Sequence, residues 1–255
     1  MSYKDVTWGG IEMVEVIVSL LPKAISQNPN GYCILLSESD YPIKTNKYIK
    51  SYLENNPYNF IFGQQIPYYK GWIEGGRRKT KCYALRLSNE RIASIEPHKF
   101  NLSNLRQFLK VILYNHHKFR KALQILYKYP KRQHPDYLIP FGGEFWWVLK
   151  SECIQIILNF LNKHPDFIEY HQNTVIPDEI FMNTLVYNLF DPKEIKNSAL
   201  RYINWTGKGN SPKDITLKNT ALLERILQSP DVLFARKITD ISVCYYIDKY
   251  LNQHK

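Results

Sequence analysis

No run of the 255-residue chain approaches the length of a membrane span, and the N-terminus lacks the charged and apolar regions of a signal peptide. The expectation is a protein that is cytoplasmic or peripheral to a membrane. Cysteine is sparse: Cys33, Cys82, Cys153 and Cys244 lie far apart without metal-ligand spacing, and read as free thiols in a reducing compartment. No repeat, low-complexity tract or linker divides the chain, so a single domain over residues 1–255 is expected. Acidic residues are missing between Pro97 and Pro135, where Lys99, Arg106, Lys110, Lys118, Arg120, Lys121, Lys128, Lys131 and Arg132 contribute nine positive charges. Nearly all of the chain's net +11 arises there. Such a stretch is either a solvated helix face or a contact for an anionic membrane surface or an acidic acceptor. Nucleic acid is not expected as a partner, because no helix-turn-helix, zinc or RNA-recognition pattern accompanies the charge. His116, His117 and His134 share this stretch with no carboxylate near them in sequence, and are not read as ligands or bases.

With 44% apolar and 14% aromatic residues the chain is globular, and its periodicities alternate between helix and strand. Helices are expected over Ile11 to Ile25, Asn46 to Asn55, from Ser103 to about Tyr127, from Lys150, and over Lys218 to Leu227. In the helix capped by Ser103, Leu105, Phe108, Leu109, Ile112, Phe119, Leu123 and Leu126 form the apolar side. Tyr32-Cys-Ile-Leu-Leu reads as a central strand covered on both faces. Asn59-Phe-Ile-Phe, Phe141 to Leu149 and Leu200 to Trp205 read as further strands, the last followed by a polar loop from Gly207 to Asp214.

Candidate chemistry sits at the ends of these elements. Ligands of open α/β sheets collect beyond strand carboxyl ends, which is where Glu38 and Asp40 stand; two acids spaced by one residue could also hold a divalent cation on a diphosphate. Gly71 to Lys81 is a glycine-rich basic loop, read as a solvated turn in preference to an anion site. Trp205 is either core or a platform for a sugar ring. Arg236 and Lys237, adjacent cations among apolar residues, need an anionic partner. In Thr174 to Phe190, Pro177 is suited to a first helical position, which puts Asp178 and Glu179 in the first turn of a buried helix. Each acid there is either a helix-end charge or a general base at the rim of a dry pocket.

Trp8-Gly-Gly, Leu36-Ser-Glu-Ser-Asp-Tyr-Pro-Ile-Lys-Thr-Asn, Gly143-Glu-Phe-Trp-Trp-Val-Leu, Ile176-Pro-Asp-Glu, Ile203-Asn-Trp, Ser211-Pro-Lys-Asp and Phe234-Ala-Arg-Lys follow one another in an order that resembles glycosyltransferase family 14. That family holds the core-2/I-branching β-1,6-N-acetylglucosaminyltransferases and the peptide O-xylosyltransferases. The resemblance covers about Val6 to Thr239. It implies a GT-A-like α/β fold, a mixed sheet flanked by helices, and inverting transfer of N-acetylglucosamine or xylose from a UDP-sugar to a carbohydrate or other hydroxyl acceptor. No metal or other cofactor is expected. By the same resemblance Glu179 matches the catalytic base, and Arg236 and Lys237, with Lys213 as a third charge, match the cations on the UDP diphosphate. Asp40 and Glu38 stand near the sugar, Trp205 matches an acceptor-side aromatic, and Glu144 and Trp146 fall in the donor- or acceptor-contacting segment. Asp178 keeps the helix-end role. Two departures from the family pattern stand out. The N-terminal strand-helix-strand unit of the family is expected to be missing, and Glu144-Phe145 stands where relatives have Ser-Asp or Ser-Gln. A catalytically inactive sugar-binding remnant of the same fold is the alternative expectation.

Overall fold

A computed structural model describes residues 6–205 and 212–253. In chain order the elements are α1 (Glu12–Gln27), β1 (Tyr32–Ile34), β2 (Tyr41–Pro42), α2 (Asn46–Asn55), β3 (Asn59–Gln65), α3 (Arg77–Lys81), β4 (Tyr83–Ser88), β5 (Arg91–Ile95), α4 (Leu102–Asn115), α5 (Phe119–Lys128), β6 (Phe141–Lys150), α6 (Ser151–Lys163), α7 (Pro165–His171), α8 (Phe181–Leu189), β7 (Ile195–Lys196), β8 (Arg201–Ile203), α9 (Thr220–Gln228), β9 (Phe234–Arg236) and α10 (Ile241–Gln253). The architecture is mixed α/β, as the alternating periodicities require. Four strands form one sheet in the order β1-β6-β3-β7, three form a second in the order β2-β9-β8, and β4 and β5 form a hairpin. Most of the polar loop expected over Gly207 to Asp214 lies outside the described residues.

The chain divides into two compact units, each assembled from separated segments. The first comprises Met1–Gly31, Phe62–Phe145 and Ser151–Lys193. Here α1 lies against α6, and α6 against α7 and α8. Ile154, Ile157, Phe167, Ile180, Phe181 and Leu185 make the apolar centre, each removed from water entirely. Full burial of such a side chain stabilises by about 1.5–3 kcal/mol. Along the Phe62–Gln65 part of β3 and the Phe141–Phe145 part of β6 the backbones approach closely: a Cβ on Gly143 would stand 1.9 Å from the Phe62 carbonyl oxygen. Only glycine fits there.

The basic helix differs from its expected form. Asn101, not Ser103, caps it, its Oδ1 accepting from the Asn104 N–H at 2.9 Å. The helix breaks at Asn115, whose φ of −164° is extended, and restarts as α5. The apolar side chains of Phe108, Val111, Phe119, Ala122, Ile125 and Leu126 pack on the β4–β5 hairpin. Leu105, Leu109 and Ile112, expected on the apolar side, are exposed, because a two-stranded hairpin covers only one strip of the helix. Arg132, counted among the surface cations, is buried.

The second unit comprises Tyr32–Ile61, Trp146–Lys150 and Glu194–Lys255. Ile43, Ile215, Leu223, Ile226, Leu227, Ala235, Val243 and Ile247 form one core cluster, and Leu53, Phe60, Val148, Leu200, Leu233 and Phe234 another. Within it β1 pairs antiparallel with Val148–Lys150, β7 parallel with Asn59 and Phe60, and β8 parallel with β9. β1, expected in the middle of its sheet, is an edge strand three residues long, with β6 as its one partner among the described residues. Of its apolar run only Cys33 is buried, and Leu36, past the end of the strand, is exposed.

Candidate functional site

In each unit some of the candidate residues gather in a charged cluster. In the first, the chain turns sharply at Gly75 and Gly76, whose φ values of 62° and 85° favour glycine, and enters the five-residue helix α3. That turn sends Lys79 inward, where it is 9% exposed. Its ammonium group donates to the Val175 carbonyl at 3.1 Å, the Ile176 carbonyl at 3.3 Å and Glu179 Oε2 at 2.6 Å, and lies 4.5 Å from the centre of the Trp72 ring. Tyr69 packs on Trp72 with ring centres 4.5 Å apart. Its phenol is pushed above its ordinary range by burial first, then by the negative charges of Glu144 and Glu179. Asn183, fully buried on α8, donates to the backbone carbonyls of Glu144 and Glu179 and so ties β6 to the acidic turn. Trp72, Tyr69, Lys79, Glu144 and Glu179 therefore belong to one neighbourhood.

The acidic turn is not the first turn of the long helix. Pro177–Glu179 is a separate turn of 3-10 helix, and α8 starts at Phe181, after Ile180. Ile176, just before the turn, has φ 52°, a left-handed conformation that costs a β-branched residue on the order of 1–3 kcal/mol. Lys79 holds that strained carbonyl in place. The two acids diverge sharply. The Glu179 side chain is 33% exposed and paired with a cation. The Asp178 carboxyl is buried, its Oδ1 lacks a hydrogen-bond partner, and burial, then the neighbouring charge of Glu179, pushes it up to about 7 while Lys79 pulls it down. Asp178 is thus no exposed helix-end charge.

In the second unit the Leu36–Asp40 turn closes on itself: Asp40 Oδ2 accepts from the Ser37 N–H and Oγ, both at 2.7 Å. The Asp40 side chain has no exposed surface. Arg201, equally buried, meets its Oδ1 at 2.8 Å, and Arg236 its Oδ2 at 3.4 Å. Both guanidinium groups lie over the ring of Trp146, at 4.6 and 4.1 Å. Two cations on one carboxylate leave a local excess of one positive charge, and Arg236 is the more exposed of the pair. Lys237 is half-buried, its carbonyl accepting from Ile215. Lys213 is exposed and held by its backbone N–H on the Asn204 carbonyl; Ser211 of the same motif lies outside the described residues. Glu38 and Trp205 are exposed.

Of the sequence candidates, Glu179 and Glu144 fall in the first cluster, and Asp40, Trp146 and Arg236 in the second. Lys79 and Trp72 were missed because the Gly71 to Lys81 stretch reads as a solvated turn, and Tyr69 lies just before that stretch in a segment given no role. The paired glycines were the available signal, since they demand a tight turn that can aim a lysine inward. Arg201 was missed although it interrupts an apolar strand, the same signal that singled out Arg236. Among the described residues no group of three or more His, Cys, Asp or Glu could hold a metal ion, and no helix is long and apolar enough to cross a membrane. The two hollows lined by the Gln133–Leu138 region include none of the candidate residues.

No curated protein matches the chain. The family model described as Core-2/I-Branching enzyme matches residues 1–225, a span that includes Glu144, Trp146, Glu179 and Lys213 and ends before Arg236 and Lys237. With nearly nine-tenths of its length matched and a mixed α/β fold of the GT-A-like kind, the chain belongs to the core-2/I-branching enzymes of glycosyltransferase family 14.

Proposed function

We propose that this glycosyltransferase is inverting and metal-independent, moving N-acetylglucosamine or xylose from a UDP-sugar to a carbohydrate hydroxyl, with residues 1–255 acting as one catalytic domain. The observation that carries this reading is Glu179: a partly exposed carboxylate aimed by a buried lysine above aromatic side chains. The acceptor O–H proton passes to the Glu179 carboxylate as the oxygen bonds to the anomeric carbon. The bond from that carbon to the β-phosphate oxygen breaks, and its electron pair leaves with UDP. Inversion needs one base and no covalent intermediate. Lys79 is the positioning residue, fixing the carboxylate and the strained turn before it. Tyr69 and Trp72 supply an apolar face for a sugar ring, with Glu144 accepting from its hydroxyls.

The cations of the second unit are assigned to the leaving group. Arg236, with Lys237 and Lys213, offsets the charge that develops on the diphosphate, the work a metal does in other transferases. Asp40 is read as holding Arg236 in place, because its oxygens are engaged by Ser37, Arg201 and Arg236. Glu38 and Trp205, both exposed, are assigned to the sugar-contacting surface, and Trp146, buried beneath Arg201 and Arg236, to positioning those cations. The test is UDP release from UDP-N-acetylglucosamine and UDP-xylose with saccharide acceptors, with and without EDTA. Turnover unaffected by EDTA is expected, and Glu179→Gln should lower it about 100-fold while the circular dichroism spectrum stays unchanged. Strict dependence on a divalent metal, or a Glu179→Gln variant at full rate, overturns the mechanism.

A further inference from the structure

The exposed face of α4 has no role in that chemistry. Leu102, Leu105, Leu109, Ile112 and Leu113 are between 49% and 76% exposed. At 3.6 residues per turn they fall within an arc of about 100° along the whole helix. The opposite side is spent on the fold: Asn104 and Val111 are buried, and Phe108 packs on Phe119. Phe100, 70% exposed, extends the stripe past the helix N-terminus and lies against exposed Tyr127, ring centres 5.5 Å apart. A contiguous apolar stripe of this kind on a water-facing surface marks an interaction site.

Its surroundings are predominantly cationic, and Glu74, beside Ser103 in the first turn of α4, faces Arg77 and Arg78. Arg106 on α4, Arg120 and Lys128 on α5, and Lys131 are exposed and have no side-chain partner among the described residues. No carboxylate occurs between Pro97 and Pro135. Glu96, the nearest acid before that stretch, is engaged by Arg77 and Lys99. A second copy of the chain would set this cationic surface against itself, and a nucleic acid would leave five aliphatic side chains in water. An anionic bilayer satisfies both features, taking the aliphatic stripe into the headgroup boundary and the cations onto lipid phosphates.

We propose that α4 is an interfacial helix by which the enzyme docks on an anionic lipid surface, lying in the plane of the membrane with Leu102, Leu105, Leu109, Ile112 and Leu113 inserted. Co-sedimentation of the full chain with phosphatidylcholine vesicles, with and without about 30% phosphatidylglycerol, tests it. Binding is expected to be at least tenfold stronger on the anionic vesicles and to fall severalfold between about 0.1 M and about 0.5 M salt. The double variant Leu109→Gln, Leu113→Gln should lose vesicle binding with an unchanged Tm and an unchanged rate of UDP release on soluble acceptors. Arg106→Gln with Arg120→Gln should weaken binding to anionic vesicles while leaving the fold intact, and reads out the proposal even if the leucine variant misfolds. Equal binding to neutral vesicles, or full binding by either folded variant, overturns it. So does light scattering that finds a wild-type dimer turned monomeric by the leucine substitutions, because a second copy then covers the stripe. Vesicle binding, Tm and light scattering do not depend on turnover, so a failure of the catalytic assignment leaves them separately interpretable.

Discussion

Asp178 and Glu179 are adjacent carboxylates given opposite conditions by their surroundings. Glu179 has water and Lys79; Asp178 has burial, an orphaned oxygen and its neighbour's negative charge. A carboxyl pushed out of its ordinary range by burial and a neighbouring charge is characteristic of sites that move protons. The Asp178 carboxyl, raised from its ordinary 3.8 to about 7, is easier to keep protonated in the folded chain than in the unfolded one. Its contribution to stability is therefore full below pH 3.8 and lost as pH rises through 7. Asp178→Asn, which stays neutral at every pH, should raise Tm on the order of 5 °C at pH 8 and change it little at pH 4. Thermal scans at the two pH values check this, and an equal shift at both would contradict it.

At the scale of elements, one buried cation organises the surroundings of the site. Arg132 donates to the carbonyls of Lys79 and Cys82 at the end of α3, to the Tyr170 carbonyl at the end of α7, and to Thr174 Oγ1. Its guanidinium lies 3.9 Å from the centre of the Tyr170 ring. The C-terminal carbonyls of two helices are thus capped by one planar fork, placed where helix dipoles favour positive charge. Arg132→Met leaves those acceptors buried and unsatisfied and should cost about 3 kcal/mol, a Tm fall of about 10 °C by differential scanning fluorimetry. Arg132→Lys should not restore it, because a single ammonium group cannot span acceptors on two helices.

For the whole molecule the pH range of stability is bounded on the acid side by buried imidazole. His171 has no exposed surface, is surrounded by Phe167, Tyr170 and Phe181, and leaves Nε2 without a partner. Burial, then the charge of Arg132, holds it well below the ordinary 6.5, and burial lowers His134 likewise. The unfolded chain binds these protons near pH 6.5 and the native one does not, so stability falls as pH drops below that value. Asp178 works in the opposite direction over this range, so the decline in Tm between pH 6.5 and about 5 should show in the Asp178→Asn background, where His171→Gln should flatten the slope whatever it does to Tm itself.

Much of this was legible in the chain alone. Periodicity located α1, α2, α6 and α9 and the strands β1, β3, β6 and β8, because a buried face repeats its apolar residues at the period of its element. Ordered short motifs were enough to identify the family and to single out Glu179, Arg236 and Asp40 as candidates. Only the tertiary structure could supply the partners. Lys79 reaches Glu179 across 100 residues of sequence, and Arg201 and Arg236 converge on Asp40 across more than 150. Neither pairing leaves a local pattern. The same limit explains the basic stretch: its sequence carries an apolar stripe and a set of cations, but which leucines are covered depends on the width of the hairpin beneath α4, and which arginine is buried depends on the carbonyls of α3 and α7. A sequence states which side chains avoid water; the packing of distant elements decides which of them succeed.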